Sequence, residues 1–354
     1  MTDTGYTIRD GIQHVVEGKL LSQAEAESIM DQIMSGETTG AQIGALVTAL
    51  RMRGETIDEI AGFASAMRKH ALKVELDLDG GPVVDTCGTG GDAAGTFNIS
   101  TTASFAIAAA GVRVAKHGNR AMTSKCGSAD LLEELGVQIE LTPEQVADCI
   151  DSVGIGFMFA QKFHPAMRYV GPTRREIGIR TVFNLLGPLT NPAGAQHQLI
   201  GVGHPGISGK LAEVLGRLGS RKAVLVHAEE GLDELGLAGV SQITEWDQEL
   251  GEVRTYSLTP EDVGLERATI DKLQGGDRAE NARITRSILS GERGPRRDAI
   301  LLNAGAGLYA ANAAESIREG VGIAADVIDS GEAMEALNRL ITYTQSVAHE
   351  DVAV

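Results

Sequence analysis

The 354-residue chain is poor in cysteine, proline, aromatics and basic residues, and each shortage removes a class of protein. Cys87, Cys126 and Cys149 form no C-x-x-C pair, and their odd number and wide spacing fit a reducing compartment rather than a disulfide framework. The eight histidines show neither HxxxH nor HExxH spacing, which argues against a zinc site. No run approaches about 18 apolar residues, so no membrane span is expected. The opening MTDTGYTIRD holds no apolar signal segment, and the cytoplasm is the expected location. Lys and Arg number 31 against 48 Asp and Glu, a formal net charge of −17. That balance opposes sequence-independent nucleic-acid binding, which needs cations to neutralise phosphates. It also sets a condition on any anionic ligand: a local basic cluster or a metal ion must reverse the field of the whole.

What is plentiful is small and apolar. Hydrophobic residues make up 43% and glycines number 44, while aromatics are 4%. The core should therefore be built from Ala, Val, Leu and Ile, with many turns or close backbone approaches at glycine. The length predicts about two domains.

Residues 1–75 read as four helices. Ser22/Glu25, Thr39/Gln42 and Thr56/Glu59 form S/T-x-x-E/Q starts, each before an apolar run of helical period. From Val83 the pattern alternates. Apolar strand-like runs at 83–84, 112–115, 155–159, 199–202 and 223–226 are separated by helical stretches at 98–110, 128–135, 142 onward and 207–218. Residues 137–141 also look extended, and 304–317 and 334–347 look helical. Such alternation predicts an α/β domain with a mostly parallel central sheet flanked by helices, beside a small all-α domain. Prolines 165, 172, 188 and 192 punctuate residues 165–195, an insert that could return to the helical unit. The division is then 1–75 with 165–195, and 76–164 with 196–354.

The densest cluster is Asp85-Thr-Cys-Gly88-Thr-Gly90-Gly91-Asp92, directly after a strand. Glycines there let N–H groups approach an anion, while Asp92 is suited to ribose hydroxyls or metal-bound water. Gly88-x-Gly90-x-x-Ala93 also matches a dinucleotide fingerprint, but the acidic residue needed about 20 positions on is replaced by Arg113 and Lys116. Asn98-x-Ser100-Thr101 opens a helix, where anions are attracted; alone, Asn98 reads equally as an ordinary N-cap. Lys116-His117-Gly118-Asn119-Arg120 ends a strand, and Lys125-Cys126-Gly127-Ser128 continues the polar run. Asp233-Glu234 offers hard oxygen ligands for Mg²⁺, although adjacent acids are common in so acidic a chain. Arg174 in the insert is suited to a carboxylate, and a surface ion pair is its usual alternative. His204 and His227 read as structural.

Cys-Gly-Thr-Gly-Gly-Asp at 87–92, Asn98-x-Ser-Thr, Lys116-His-Gly-Asn-Arg, Gly127-Ser-Ala-Asp and Leu186-Gly-Pro-Leu-Thr-Asn-Pro192 together resemble the anthranilate phosphoribosyltransferase family. The likeness runs in order over nearly the whole chain. It implies transfer of the phosphoribosyl group of phosphoribosyl pyrophosphate to the amine of anthranilate, giving phosphoribosyl-anthranilate for tryptophan biosynthesis. The implied fold is shared with pyrimidine nucleoside phosphorylases, and the implied assembly is a homodimer through the helical domain. By motif, Gly88, Gly90, Gly91, Asp92, Thr96, Asn98, Ser100, Thr101, Lys116 and Ser128 would bind phosphoribosyl pyrophosphate. Gly88, His117, Asn119, Arg174 and Pro188 would shape the anthranilate site. Ser100, Asp233 and Glu234 would serve two magnesium ions. Cys126 and Gly236 stand where the family commonly has Ser. The resemblance implies catalysis by positioning and by the metal, with no residue attacking covalently.

Overall fold

The computed structural model describes residues 5–91, 94–121 and 125–350. The first four helices are α1 (Ile8–Val16), α2 (Gln23–Met34), α3 (Gly40–Arg53) and α4 (Ile57–His70). Each starts where the sequence offers a reciprocal cap. The Ser22, Thr39 and Thr56 N–H groups donate to Glu25, Gln42 and Glu59 at 2.8, 2.9 and 2.9 Å. Such caps stabilise a helix by about 1 kcal/mol each. Glu59 also accepts from the Leu21 N–H and pairs with Arg53, so one buried carboxylate starts α4 and anchors the turn before α2.

The chain then alternates: β1 (Val83–Gly88), α5 (Ile99–Ala109), β2 (Arg113–Gly118), α6 (Ser128–Leu135), α7 (Pro143–Val153), β3 (Ile155–Phe159) and α8 (Ala160–Phe163). The insert supplies α9 (Gly171–Ile177) and α10 (Phe183–Leu186). After it come β4 (His197–Gly201), α11 (Ser208–Arg217), β5 (Lys222–Ala228), β6 (Ser241–Asp247) and β7 (Glu252–Leu258). The chain ends with α12 (Arg278–Leu289), α13 (Pro295–Ala310), α14 (Ile317–Asp329) and α15 (Glu332–Glu350).

The strands form one sheet in the order β3-β2-β1-β4-β5-β6-β7. The first five are parallel; β6 and β7 are added antiparallel. Side chains alternate across it: Val84, Val114, Leu199 and Val224 face the core built with α5 and α13, while Ile200, Ala223 and Leu225 face the core shared with α11 and α4. Both faces of the parallel part are thus covered, which is why its strands read as continuous apolar runs. In the insert, Val170, Val182, Phe183, Leu186 and Leu189 share one apolar cluster with Ile29, Ile33, Leu46 and Ile60 of the first helices and with residues of β4, β5 and α11.

One expectation needs correction, and two further stretches have features that the sequence did not specify. Residues 137–141 are extended in alternation, with Val137, Ile139 and Leu141 buried, but they join no ladder; the Gln138 N–H donates instead to the Thr344 hydroxyl. The helix expected over 304–317 is two helices, broken at 311–316, where Asn312 adopts a left-handed φ of 56°. The β6–β7 hairpin has no counterpart among the expected elements. No helix among the described residues is long and apolar enough to cross a membrane.

Candidate active site

Strand order reverses between β1 and β4: the chain leaves β1 toward β2 and β3, then returns to β4 on the other side. Outside the C-terminal ends of strands at such a switch point, open α/β sheets leave a crevice. Here the register pairs Gly88 with Gly201 at the rim. The segment carrying Asp233 crosses directly over both. A Cβ on Gly201 would lie 1.6 Å from the Asp233 carbonyl oxygen, and one on Gly88 2.7 Å from Asp233 Oδ2. The two glycines are bare so that this acidic segment can reach the glycine-rich loop.

The loop is built to display N–H groups. Gly90 and Gly91 take φ of +70° and +84°, a conformation that side chains with a Cβ rarely adopt. The Gly90 N–H donates to Asp233 Oδ2 at 2.8 Å. Glu234 Oε1 accepts from the Ser100 N–H at 3.1 Å, in the first turn of α5. Distant segments therefore meet: the β1 loop, the start of α5 and the acid pair after β5. Thr96 is half-buried and bridges to Gln274. Asp92 lies outside the described residues.

Asn98 does not cap α5 with its side chain. Its amide donates to the Cys126 carbonyl at 3.0 Å and its Oδ1 accepts from Asn281 at 2.9 Å, so it ties the loop before α6 to the start of α5. Ser128 begins α6, exchanging hydrogen bonds with the Asn119 backbone at 3.2 Å. Cys126 is buried, and burial raises its thiol to about 11, so it presents a neutral S–H. Two residues stand differently from what the motifs imply. Thr101 is 2% exposed, which withdraws its hydroxyl from the crevice. Lys116 is 3% exposed, and its ammonium donates to the Thr86 carbonyl and hydroxyl beneath the strand ends instead of projecting outward. Burial lowers its pKa, an effect that the neighbouring Asp85 opposes.

Asp85 organises the adjoining pocket. It accepts from Asn191 Nδ2 at 2.7 Å and from the His117 N–H at 3.1 Å, which draws the Gly187–Leu189 turn toward the end of β2. His117 sits there against His164, ring centroids 5.0 Å apart, each with a buried Nε2 that has no partner. Burial holds both rings neutral, His117 at about 3 and His164 at about 4. Pro188 is buried, its carbonyl accepting from Gln198. The Asn119 side chain accepts from the Arg120 N–H and Gln161.

Arg174 is half-buried on α9, its guanidinium 5.7 Å from the Phe183 ring centroid, and burial lowers its pKa. No ion pair engages it among the described residues, so the surface-pair reading does not hold. Sequence reasoning missed Arg180, which donates to the Gly90 carbonyl at 3.1 Å and links the insert to the loop. It also missed His164; the one signal was its place beside Pro165, at the end of α8, the short helix that follows β3. His204 accepts from the Gly206 N–H at 3.2 Å, and His227 Nδ1 bonds the Val202 carbonyl at 2.7 Å.

A divalent cation can be tested against the donors present. Among the described residues no three His, Cys, Asp or Glu side chains gather. The set therefore cannot cage a metal by itself. Two adjacent carboxylates facing an N–H-rich loop do fit Mg²⁺, which is held by one or two carboxylates and completes its shell with substrate phosphates and water.

Two family models match the chain: the helical bundle domain of a glycosyl transferase family over residues 9–71 and its a/b domain over residues 80–334. An anthranilate phosphoribosyltransferase of Chloroflexus aurantiacus is 57% identical over 340 residues, 96% of this chain and 99% of that one. The anthranilate phosphoribosyltransferase structure from Thermus thermophilus superposes with a TM-score of 0.90 at 47% identity, covering 95% of this chain and 99% of that one. The enzyme from Saccharomyces cerevisiae, solved in complex with phosphoribosyl pyrophosphate and Mg, superposes with a TM-score of 0.86 at 28% identity, covering 96% and 98%.

Proposed function

The chain belongs to the anthranilate phosphoribosyltransferase family, and from that premise we propose how its own residues carry out the reaction. It transfers the phosphoribosyl group of phosphoribosyl pyrophosphate to the amine of anthranilate, a step of tryptophan biosynthesis. The amine nitrogen forms a bond to ribose C1 as the bond from C1 to the pyrophosphate oxygen breaks. The nitrogen loses one proton and pyrophosphate departs with the electron pair.

Gly88, Gly90, Gly91 and Asp92 receive the pyrophosphate end, with Thr96, Asn98, Ser100 and Ser128 around the phosphates and ribose. The N-termini of α5 and α6 add first-turn N–H groups, that of Ser100 in exchange for its bond to Glu234. Lys116 contributes charge from beneath the strand ends. Asp233, Glu234 and Ser100 would hold Mg²⁺, two ions by the motif; use of Mg²⁺ is supported by the yeast relative's complex. Bound there, the metal would neutralise charge on the leaving pyrophosphate.

Anthranilate enters from the insert side. Arg174 takes its carboxylate, and Gly88, His117, Asn119 and Pro188 shape the ring pocket. An aryl amine is already neutral and nucleophilic near pH 7, so positioning is the protein's main contribution. The neutral imidazole of His117 leaves no competing positive charge beside that amine.

The helical unit is 1–75 with 165–195, and the phosphoribosyl-binding unit is 76–164 with 196–354. Val16, Leu20 and Met52 are exposed on the helical unit, Met52 to 85%, which supports a homodimer through that face. The cytoplasm is the proposed location.

The observation that carries this reading is the pinning of Asp233 and Glu234 onto Gly90 and Ser100 at the switch point. Anthranilate fluorescence tests it. Signal should fall only when phosphoribosyl pyrophosphate and Mg²⁺ are both present, and exhaustive chelation should stop the decay. Undiminished turnover after chelation rejects the metal assignment.

A further inference from the structure

The first turn of α13 carries the wrong charge for a helix N-terminus. Its N-cap, Gly294, supplies no side chain, and Pro295, Arg296 and Arg297 follow. The exposed N–H groups and the helix dipole favour anions at this end, yet two guanidinium groups crowd it beside a single acid, Asp298. Arg297 is only 8% exposed; its Nη2 pairs with Asp329 at 2.7 Å, but its Nε–H is buried with no partner. The Nε–H of Arg296 is also buried and unpartnered. Both line a cavity of about 350 Å³ between α12 and the start of α13, together with Lys272, Arg283 and Arg293. Asp271 and Glu292 are the acids of that lining. Glu280 and Asp329, just outside the lining, pair with Arg283 and with Arg293 and Arg297, so five cations face four carboxylates, a small local positive excess in a chain whose net charge is −17.

The wall of this cavity is also the wall of the proposed active site. Arg296 Nη2 donates to the Gln274 carbonyl at 2.8 Å. The Gln274 side chain donates to the Ala94 carbonyl at 2.9 Å, and its backbone bridges to Thr96. The Gly275 N–H donates to the Gly95 carbonyl, and the Phe97 N–H to the Leu273 carbonyl. Residues 271–275 thus lie between the cationic cavity and the loop that follows Gly91.

We propose that this cavity is an effector site for a small phosphate-like oxyanion, coupled through Arg296 and Gln274 to the 94–98 loop. The anion takes the Arg296 and Arg297 guanidinium groups where they line the cavity, and the first-turn N–H groups of α13. In doing so it draws Arg296 off the Gln274 carbonyl and loosens the loop, so phosphoribosyl pyrophosphate binds less well. The consequence for substrate rests on the function proposed above; the binding site does not.

Calorimetric titration with inorganic phosphate tests the site, first on the free enzyme and then with phosphoribosyl pyrophosphate and Mg²⁺ saturating and no acceptor, so that the active site is filled. Phosphate should bind in both states, and acetate, the monocarboxylate arm, more weakly. Arg297→Met should abolish binding. Since that change breaks a buried ion pair, Arg283→Gln with Arg293→Gln, both on exposed side chains, provides the decisive variant and should weaken phosphate at least about tenfold, 1.4 kcal/mol. Phosphate should raise the KM for phosphoribosyl pyrophosphate, and in Gln274→Ala that response should vanish while phosphate still binds. Equal phosphate affinity in wild type and the double variant overturns the site. A KM response that persists in the double variant assigns the effect to competition at the active site and overturns the coupling. A protein that binds phosphate at this cavity but transfers nothing to anthranilate would reject the function alone.

Discussion

One methyl group at Gly201 tests whether the crevice depends on the acidic segment crossing over β4. In Gly201→Ala the new Cβ would sit 1.6 Å from the Asp233 carbonyl oxygen and 2.5 Å from its carbonyl carbon. Both atoms are backbone, so no rotamer relieves the clash. Carbon and oxygen atoms settle at roughly 3.5 Å, so the Asp233 peptide must retreat by about 2 Å or the end of β4 must give way. Either movement takes Asp233 from the Gly90 N–H and Glu234 from the Ser100 N–H. A misplacement of about 1 Å can cost about 100-fold in rate, so kcat/KM should fall by at least that factor. Overpacking costs typically about 1–3 kcal/mol, which leaves a chain of this size folded. Gly322→Ala is the control: on the exposed face of α14 its Cβ meets nothing within 4 Å, and Ala in place of a helix-interior Gly adds about 0.5–1 kcal/mol of stability with no effect on turnover. Steady-state kinetics, a Mg²⁺ titration and thermal melts of the three proteins provide the comparison. Unchanged turnover in Gly201→Ala, with a normal Mg²⁺ requirement, would refute the argument that this crossing holds the acid pair in place.

Three further changes probe separate parts of the site. Arg174→Ala should raise the anthranilate KM by about 10- to 150-fold, from a charged hydrogen bond worth roughly 1.5–3 kcal/mol, and leave the phosphoribosyl pyrophosphate KM nearly flat; Arg174→Lys should rescue it only in part, and the reverse pattern of KM values would mean the acceptor pocket is misplaced. Gly91→Val puts a Cβ 1.8 Å from Arg180 Nη1 at a φ of +84°, so calorimetry should show phosphoribosyl pyrophosphate weakened much more than anthranilate, whereas equal loss of both would point to general misfolding. Folded His164 titrates at about 4 and His117 at about 3, against roughly 6.5 when unfolded, so the unfolded chain takes up protons first and stability falls as pH drops from about 6.5 toward 4; urea midpoints should show this, and His164→Gln should flatten the slope by up to about 3 kcal/mol over that range, an unaltered slope ruling it out.

The helical unit was legible because its signals are local. A Ser or Thr three residues before Glu or Gln, followed by apolar residues at helical spacing, needs no tertiary information, and all three predicted boxes close as hydrogen bonds. The parallel strands were legible because burial on both faces leaves uninterrupted apolar runs. The β6–β7 hairpin was not, because β7 is exposed along almost its full length and its composition, EVRTYSL, carries no such run. The break after Ala310 lies in an alanine-rich stretch and was missed, although Asn312 marks the turn and Ser316-x-x-Glu319 repeats the capping pattern at the start of α14. At the site, the glycine and acidic motifs indicated which loops come together, but not what each side chain does there. Lys116 looks like a phosphate ligand from its motif, yet its stem runs under the strand ends to Thr86, a direction set by packing across the sheet. Arg180 and Gln274 gain their significance only from segments about 90 and 180 residues away in sequence.

The acid pair poses a last problem, since an anion site should not have two carboxylates at its centre. In the ligand-free arrangement Asp233 accepts from Gly90 and Glu234 from Ser100, the N–H groups that a pyrophosphate would use. On the proposed placement of phosphoribosyl pyrophosphate, the carboxylates therefore occupy the donors that its phosphates would take. With no cation between them, incoming phosphate meets both repulsion and competition for donors, in a protein already at −17. Asp233 and Glu234 would be relieved of both by a divalent ion, since as its ligands they would leave the Gly90 and Ser100 N–H groups to the phosphates. Binding of Mg²⁺ and of phosphoribosyl pyrophosphate should consequently be linked, each raising the affinity of the other by the same factor. Asp233→Asn should shrink that factor from both directions. It weakens binding with Mg²⁺ by removing a ligand, and it eases binding without Mg²⁺ by removing a charge that competes for the Gly90 N–H. Calorimetric titration of phosphoribosyl pyrophosphate with and without Mg²⁺, in both proteins, measures the ratio directly. If Asp233→Asn keeps the wild-type ratio, the pair is not the switch between donors and metal, and the repulsion must be relieved elsewhere in the crevice.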